Sequence, residues 1–111
     1  MTTPLAPTDV VLAITTVANS DDAEQLVRAL LETHLIACGT LLPSARSLYR
    51  WEGEITEEAE VVVLLKTVAS RLEEIGDAFT IHHPYDVPEL IVFPSHAGLE
   101  GYLNWVRAET E

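Results

Sequence analysis

Two runs of β-branched and apolar residues, VVLAITTV at Val10–Val17 and EVVVLLKT at Glu60–Thr67, limit most strongly what this chain can fold into. Each is short for a helix and almost continuously apolar, the pattern of a strand buried on both faces in the middle of a sheet. After the first run, Ala23, Leu26, Val27, Leu30 and Leu31 recur at helical spacing while Glu24, Gln25, Arg28 and Glu32 fill the other side. Asn19, Ser20 and Asp21 are the candidate caps of that helix. A second strand is expected over Ile36–Trp51, bent by Pro43 and Ser44 and placed at a sheet edge. The turn Glu52-Gly53-Glu54 then leads back into the Glu60–Thr67 strand, so the pair makes a long hairpin.

Further on, Ser70 and Glu73 have the spacing of a capping box, ahead of a helix whose inner face is Leu72, Ile75 and Phe79. Pro84 and Pro88 stiffen the connection to a fourth strand over Leu90–Phe93, which stops at Pro94. Leu99, Tyr102, Leu103 and Val106 define a C-terminal helix. The order βαββαβ plus a helix is that of an α+β, ferredoxin-like split-βαβ sandwich, an antiparallel sheet with helices on one face. The 111 residues suffice for one hydrophobic core. We expect a single domain over 9–108, a flexible tail over 1–8 and a short C-terminal tail over 109–111.

Charge and motif content remove several occupants of this fold. Eighteen Asp and Glu face six Lys and Arg, a net charge of −12 that repels phosphate backbones and anionic membrane surfaces, so neither nucleic acid nor membrane is an expected partner. RNA-binding versions carry aromatics on the central strands, and Val61–Leu65 has none. Cys38 is the only cysteine, so one chain can form neither a disulfide nor the Cys-x-x-Cys pair of a copper chaperone. Met1–Pro7 lacks basic residues and a signal-like apolar run, and no stretch approaches about 20 apolar residues, which points to a soluble, cytoplasmic protein. Without a G-x-G-x-x-G, P-loop, H-E-x-x-H or G-x-S-x-G pattern, no enzymatic activity and no catalytic residue are expected.

Three groups of residues are candidates for function. His82, His83, Asp86 and Glu89 bring imidazole and carboxylate within a short segment, ligand types suited to copper(II) or zinc; the alternative is a proline-stiffened loop whose polar groups hold its own backbone. Adjacent histidines point apart in extended chain, so at most one of the two shares a site with Glu89. Cys38, between Ala37 and Gly39, reads either as a small buried side chain or as a soft ligand for copper(I). Tyr49 and Trp51 alternate on one face of a hairpin arm that projects beyond a small core. With Arg50 they are the residue types of interface centres, which makes them expected anchors of a neighbouring subunit rather than stacking groups for a ligand. Trp105, with Tyr102, is expected to pack the last helix onto that assembly.

Four segments taken together, Ala37–Pro43 (ACGTLLP), Tyr49–Gly53 (YRWEG), His83–Glu89 (HPYDVPE) and Gly98 through Tyr102-Leu103-Asn104-Trp105, resemble the CutA family of divalent-cation-tolerance proteins, over roughly Val10 to Val106. The resemblance implies a homotrimer similar in architecture to the PII signalling proteins, with long hairpins clasping neighbouring subunits. It also implies a link to copper and other divalent cations, no obligatory cofactor, and Cys38, His83 and Glu89 as the metal-binding positions. Thr40 stands where the family usually has Asn, Leu99 where a polar residue is common, and Asp86 where Glu is usual. The expected function is that of a homotrimeric divalent-cation (copper) binding protein in metal-ion tolerance. The alternative is a PII-like sensor or adaptor that takes a small metabolite or an unidentified protein partner at clefts between subunits.

Overall fold

The computed structural model describes residues 4–111. The elements follow in the order β1 (Val10–Val17), α1 (Ser20–Glu32), β2 (Cys38–Trp51), β3 (Glu54–Val68), α2 (Leu72–His82), β4 (Ile91–Pro94) and α3 (Glu100–Glu109). The four strands form one antiparallel sheet in the order β2-β3-β1-β4. The two apolar runs are therefore the two central strands, paired from Val10 opposite Val68 to Val17 opposite Val61.

Burial along the central strands alternates instead of being uniform. Ala13, Thr15 and Val17 of β1 and Val61, Val63 and Leu65 of β3 are enclosed by Leu26, Val27 and Leu30 of α1 and by Ile75 and Phe79 of α2. The opposite face, carrying Leu12, Ile14, Val62 and Leu64, is only half-buried within one chain. Both faces are apolar because both need cover, but α1 and α2 supply cover for one. The third helix departs from the expected one-sided arrangement: its Val106 closes over Val10 and Val68 at one end of the second face.

Local signals behave unevenly. Asn19 caps α1, its side-chain oxygen accepting the Asp22 N–H at 2.8 Å. The Ser70–Glu73 capping box is not formed; a 3₁₀ turn at Ala69–Arg71 precedes α2, and Arg71 pairs with Glu74 at 3.0 Å instead. At the other end of the hairpin, Glu52 and Gly53 both have positive φ, 49° and 82°, the geometry of a type I′ turn. The expected bend in β2 is a register shift between Leu42 and Ala45, where Ser44 takes a φ of 65°.

Both segments expected as tails are held where they are described. Of the N-terminal tail, residues 1–3 lie outside the described residues; the Pro7 carbonyl accepts the Ser70 N–H at 3.0 Å and the Thr8 carbonyl accepts Arg107 Nε at 2.8 Å. At the other end Thr110 is buried, and its carbonyl accepts Arg71 Nε at 2.7 Å. No helix among the described residues is long and apolar enough to cross a membrane.

Candidate binding cleft beside an uncovered sheet face

The period of two along β3 places Glu60, Glu58 and Thr56 on the same face as Leu64 and Val62, further toward the hairpin tip. Ser47, Tyr49 and Trp51 pair alongside them on β2, with Tyr49 opposite Thr56 and Trp51 opposite Glu54. Facing this arm is the segment after α2, which Pro84 and Pro88 prevent from continuing as helix. Between arm and segment lies a cleft of about 740 Å³, lined on one side by Tyr49, Trp51, Glu58 and Glu60 and on the other by Tyr85, Asp86, Val87 and Glu89.

The loop is anchored through His83. Its Nδ1 accepts the Tyr85 backbone N–H at 3.1 Å, so Nε2 carries the proton and points at the Thr16 carbonyl, 3.1 Å away, and the Thr15 hydroxyl, 3.0 Å away. Phe79 and Tyr85 pack against the ring, each with centroids 5.1 Å distant. Burial pulls the His83 pKa below its ordinary value, against the opposing pull of the Thr16 carbonyl and the Asp22 and Glu60 carboxylates. The ring is thus a neutral structural post.

Tyr85 closes the floor of the cleft. Its hydroxyl donates to Glu60 Oε2 at 2.8 Å. Burial and this bond to a carboxylate push the phenol well above its ordinary range. For Glu60, burial raises the carboxyl pKa, but hydrogen bonds from the Ser47, Tyr85 and Thr16 hydroxyls outweigh it, and the net displacement is downward. Glu60 is therefore an ionised carboxylate although it is only 7% exposed. Glu58 raises the phenol of the adjacent Tyr49 as well.

The three positions expected to hold a metal are not gathered in one chain. Cys38 sits on β2 opposite Lys66, half-buried, with Lys66 Nζ 3.7 Å from its sulfur and Thr40 Oγ1 3.9 Å from it. Lys66 also donates to Thr40. Along β3 that location is roughly 20 Å from Glu60 at the strand rise of about 3.3 Å per residue. Glu89 is exposed on the rim of the cleft, and His83 has both ring nitrogens committed to protein partners. Among the described residues no three His, Cys, Asp or Glu side chains converge as a metal would require. The reason is topological: Cys38 and the cleft occupy opposite ends of the long hairpin. The two histidines do part, though not within extended chain: His82 ends α2 and is exposed, whereas His83, the extended residue that follows, is buried.

Of the expected interface residues, Tyr49 and Trp51 line the cleft while Arg50, one residue between them, points to the other face of the arm. Trp105 and Tyr102 lie together on α3, ring centroids 5.7 Å apart and both more than 40% exposed. Beyond them the uncovered sheet face continues to Ile91 and Phe93 of β4, which pair with Ile14 and Leu12. Glu60 and Tyr85 were not singled out from the sequence; the signal available was a lone carboxylate at the head of an otherwise apolar strand.

The chain is an α+β sandwich with an acidic cleft beside an apolar sheet face that one chain leaves half-covered. Residues 11–109 match the family model described as CutA1 divalent ion tolerance protein, and the chain belongs to that family. Similar proteins include the divalent-cation tolerance protein CutA of Pectobacterium atrosepticum, 43% identical over 100 residues that cover 90% of this chain and 91% of the relative. The protein of the same name from Salmonella newport is 41% identical over 90% of this chain and 87% of its own. Among solved structures, CutA from Xylella fastidiosa superposes with a TM-score of 0.90 at 37% identity, covering 93% of this chain and 99% of that one. The divalent cation tolerance protein of Thermus thermophilus gives 0.89 at 33% identity, covering 92% and 99%.

Proposed function

We propose that this protein is a homotrimeric divalent-cation binder, copper(II) being the leading cation, that contributes to metal-ion tolerance in the cytoplasm. The observation that carries the reading is the uncovered apolar sheet face. Leu12, Ile14, Val62, Leu64, Ile91 and Phe93 share one face of the sheet, Ile14 pairing with Leu64 and Ile91 and Leu12 with Phe93, and association removes such a strip from water. A neighbouring subunit seated there brings its own donors beside Cys38 at one end of the hairpin or beside the rim carboxylates Asp86 and Glu89 at the other, two separate places where a ligand set that one chain lacks is completed between subunits. The names of the relatives, divalent-cation tolerance proteins, support the cation side of the reading. Tyr49, Arg50, Trp51 and Trp105 serve as contact residues in that assembly.

Light scattering gives the mass of the assembly, and calorimetric titration of copper(II) in the same buffer gives the stoichiometry. A trimer with an integral, saturable isotherm that weakens in Cys38→Ser or Glu89→Gln is the expected result. Shallow isotherms identical in all three proteins reduce copper uptake to attraction by the acidic surface and end the proposal.

A second reading, a PII-like sensor or adaptor, is favoured by the cleft itself. A volume of about 740 Å³ lies within the range of about 300–1,000 Å³ that accommodates small molecules, well above what a single ion needs. Thermal shift in metal-free buffer distinguishes the two, because only the sensor is stabilised by a metal-free metabolite.

A further inference from the structure

We propose that the pocket bounded by Pro7 and Thr8, the start of α2 and the end of α3 binds a small oxyanion, a phosphate or a carboxylate, between the guanidinium groups of Arg71 and Arg107. The inference is independent of both functional readings above, since it uses neither the uncovered sheet face nor the cleft beside it.

Three observations converge on that ligand. First, two of the six Lys and Arg in a chain of net charge −12 border one pocket of about 300 Å³, together with Thr8, Ser70, Thr110 and Glu111. Glu111 is the one acidic residue of the lining and pairs with neither arginine: the ion pairs among the described residues are Arg28–Glu24, Arg46–Glu57 and Arg71–Glu74. Arg107 therefore has no carboxylate partner among them. Two like charges that face one space repel, and an anion between them replaces that repulsion with attraction.

Second, both guanidinium groups are already oriented. Arg71 donates Nε to the Thr110 carbonyl at 2.7 Å and Nη1 to Glu74 at 3.0 Å, while Arg107 donates Nε to the Thr8 carbonyl at 2.8 Å and Nη1 to Asn104 at 3.0 Å. Each keeps its Nη2 amino group without a partner among the described residues. The carbonyls hold the two planes without neutralising their charge, so little side-chain entropy remains to be lost when an anion arrives. The hydroxyls of Thr8 and Ser70 donate to no described residue and add neutral donors at the same rim. Planar guanidinium donors with hydroxyls beside them match the closely spaced oxygens of a phosphate or carboxylate.

Third, the pocket stands apart from the residues assigned to subunit contact. Arg107 follows Trp105 by two residues, about 200° round α3 at 3.6 residues per turn, and Arg71 precedes α2, the helix that covers the other sheet face. None of Tyr49, Arg50, Trp51 and Trp105 borders the pocket.

The test uses the full-length protein in its native assembly, in chloride buffer free of phosphate and metal. Inorganic phosphate is titrated calorimetrically beside the dicarboxylate succinate, which separates the two sources of oxyanion. Saturable binding of at least one of them at one site per chain is expected, weakened about tenfold or more in both Arg107→Gln and Ser70→Asp and unchanged in Arg28→Gln, an arginine on the exposed side of α1. Ser70→Asp sets a carboxylate at the rim while leaving both arginines and their carbonyl bonds in place, and it keeps the test open should Arg107→Gln loosen the chain ends. Circular dichroism and light scattering verify the fold and assembly of each variant. No saturable binding of either anion, or an affinity indifferent to either substitution in a folded protein, overturns the proposal. A loss of the same size in Arg28→Gln overturns it too, because binding then follows overall charge and not this pocket.

Discussion

The hydroxyl of Tyr85 reaches across the cleft to Glu60 Oε2 at 2.8 Å, tying the proline-stiffened loop to the central strand β3. This one bond joins two segments 25 residues apart and fixes the orientation of the only largely buried carboxylate on the described surface of the cleft.

Removing the hydroxyl in Tyr85→Phe is expected to cost about 1.5–3 kcal/mol at neutral pH, the usual scale for a hydrogen bond to a charged group. Glu60 has a folded pKa below its ordinary 4.5, so its contribution is present above that value and is lost as pH falls through the folded pKa. Without Tyr85 one of the pulls that lower it disappears, and the midpoint of acid unfolding moves to higher pH. Urea titrations followed by circular dichroism at neutral and acidic pH measure both effects; equal curves for the two proteins refute the assignment.

His83 gives a second, separate acid dependence. Its pKa is lowered by burial, so the unfolded chain takes up a proton first as pH falls below about 6.5, the ordinary histidine value, and stability declines from there down to the folded pKa. The expected readout is a melting temperature that drops between pH 7.5 and pH 5.5. In His83→Asn the protein is less stable throughout, because the bonds to Thr15, Thr16 and Tyr85 are disturbed, but that part of the slope vanishes. A slope that survives the substitution assigns it to another group.

At Gly39, Val27 of α1 packs close against the β2 backbone. A Cβ there meets Val27 Cγ1 at 2.6 Å and Cγ2 at 2.8 Å, distances that real side chains do not hold. Gly39→Ala is therefore expected to lose about 1–3 kcal/mol by overpacking. Adding Val27→Ala to it should recover part of the loss, a coupling that a double-mutant cycle reads directly.

The exposed apolar strip can be disrupted without touching the core. Ile91 and Phe93 are 53% and 50% exposed in the single chain, so Ile91→Glu and Phe93→Glu leave the helix-covered core intact. Under the trimer proposal the charge ends association, and light scattering reports a folded species of one-third the wild-type mass. An unchanged mass places the interface elsewhere.

How much of this was legible in the residues follows the range of the forces involved. β1 was readable to its last residue because its eight residues are all β-branched or apolar, too short a run for a helix and well suited to a strand. The bend at Pro43 and Ser44 and the turn at Glu52 and Gly53 were readable for the same reason, since ring closure and positive φ are properties of single residues. Ser70 was misleading. Its spacing to Glu73 satisfies a local rule, yet the chain enters α2 through a 3₁₀ turn pinned by the bonds of Ala69 and Ser70 to Asp9 and Pro7, partners sixty or more residues away.

The sequence by itself thus determined the elements, their order, the acidic surface and the family, all of which are written in patterns a few residues long. Tertiary structure alone decided what those elements do together. It spent His83 on Thr15, Thr16 and Tyr85, set Cys38 at the far end of the hairpin from Glu89, and buried Glu60 without a cation at the wall of a cleft. The reason is that distance and desolvation between residues far apart in sequence depend on how strands pair and which face the helices cover, and no spacing along the chain encodes either for a single residue.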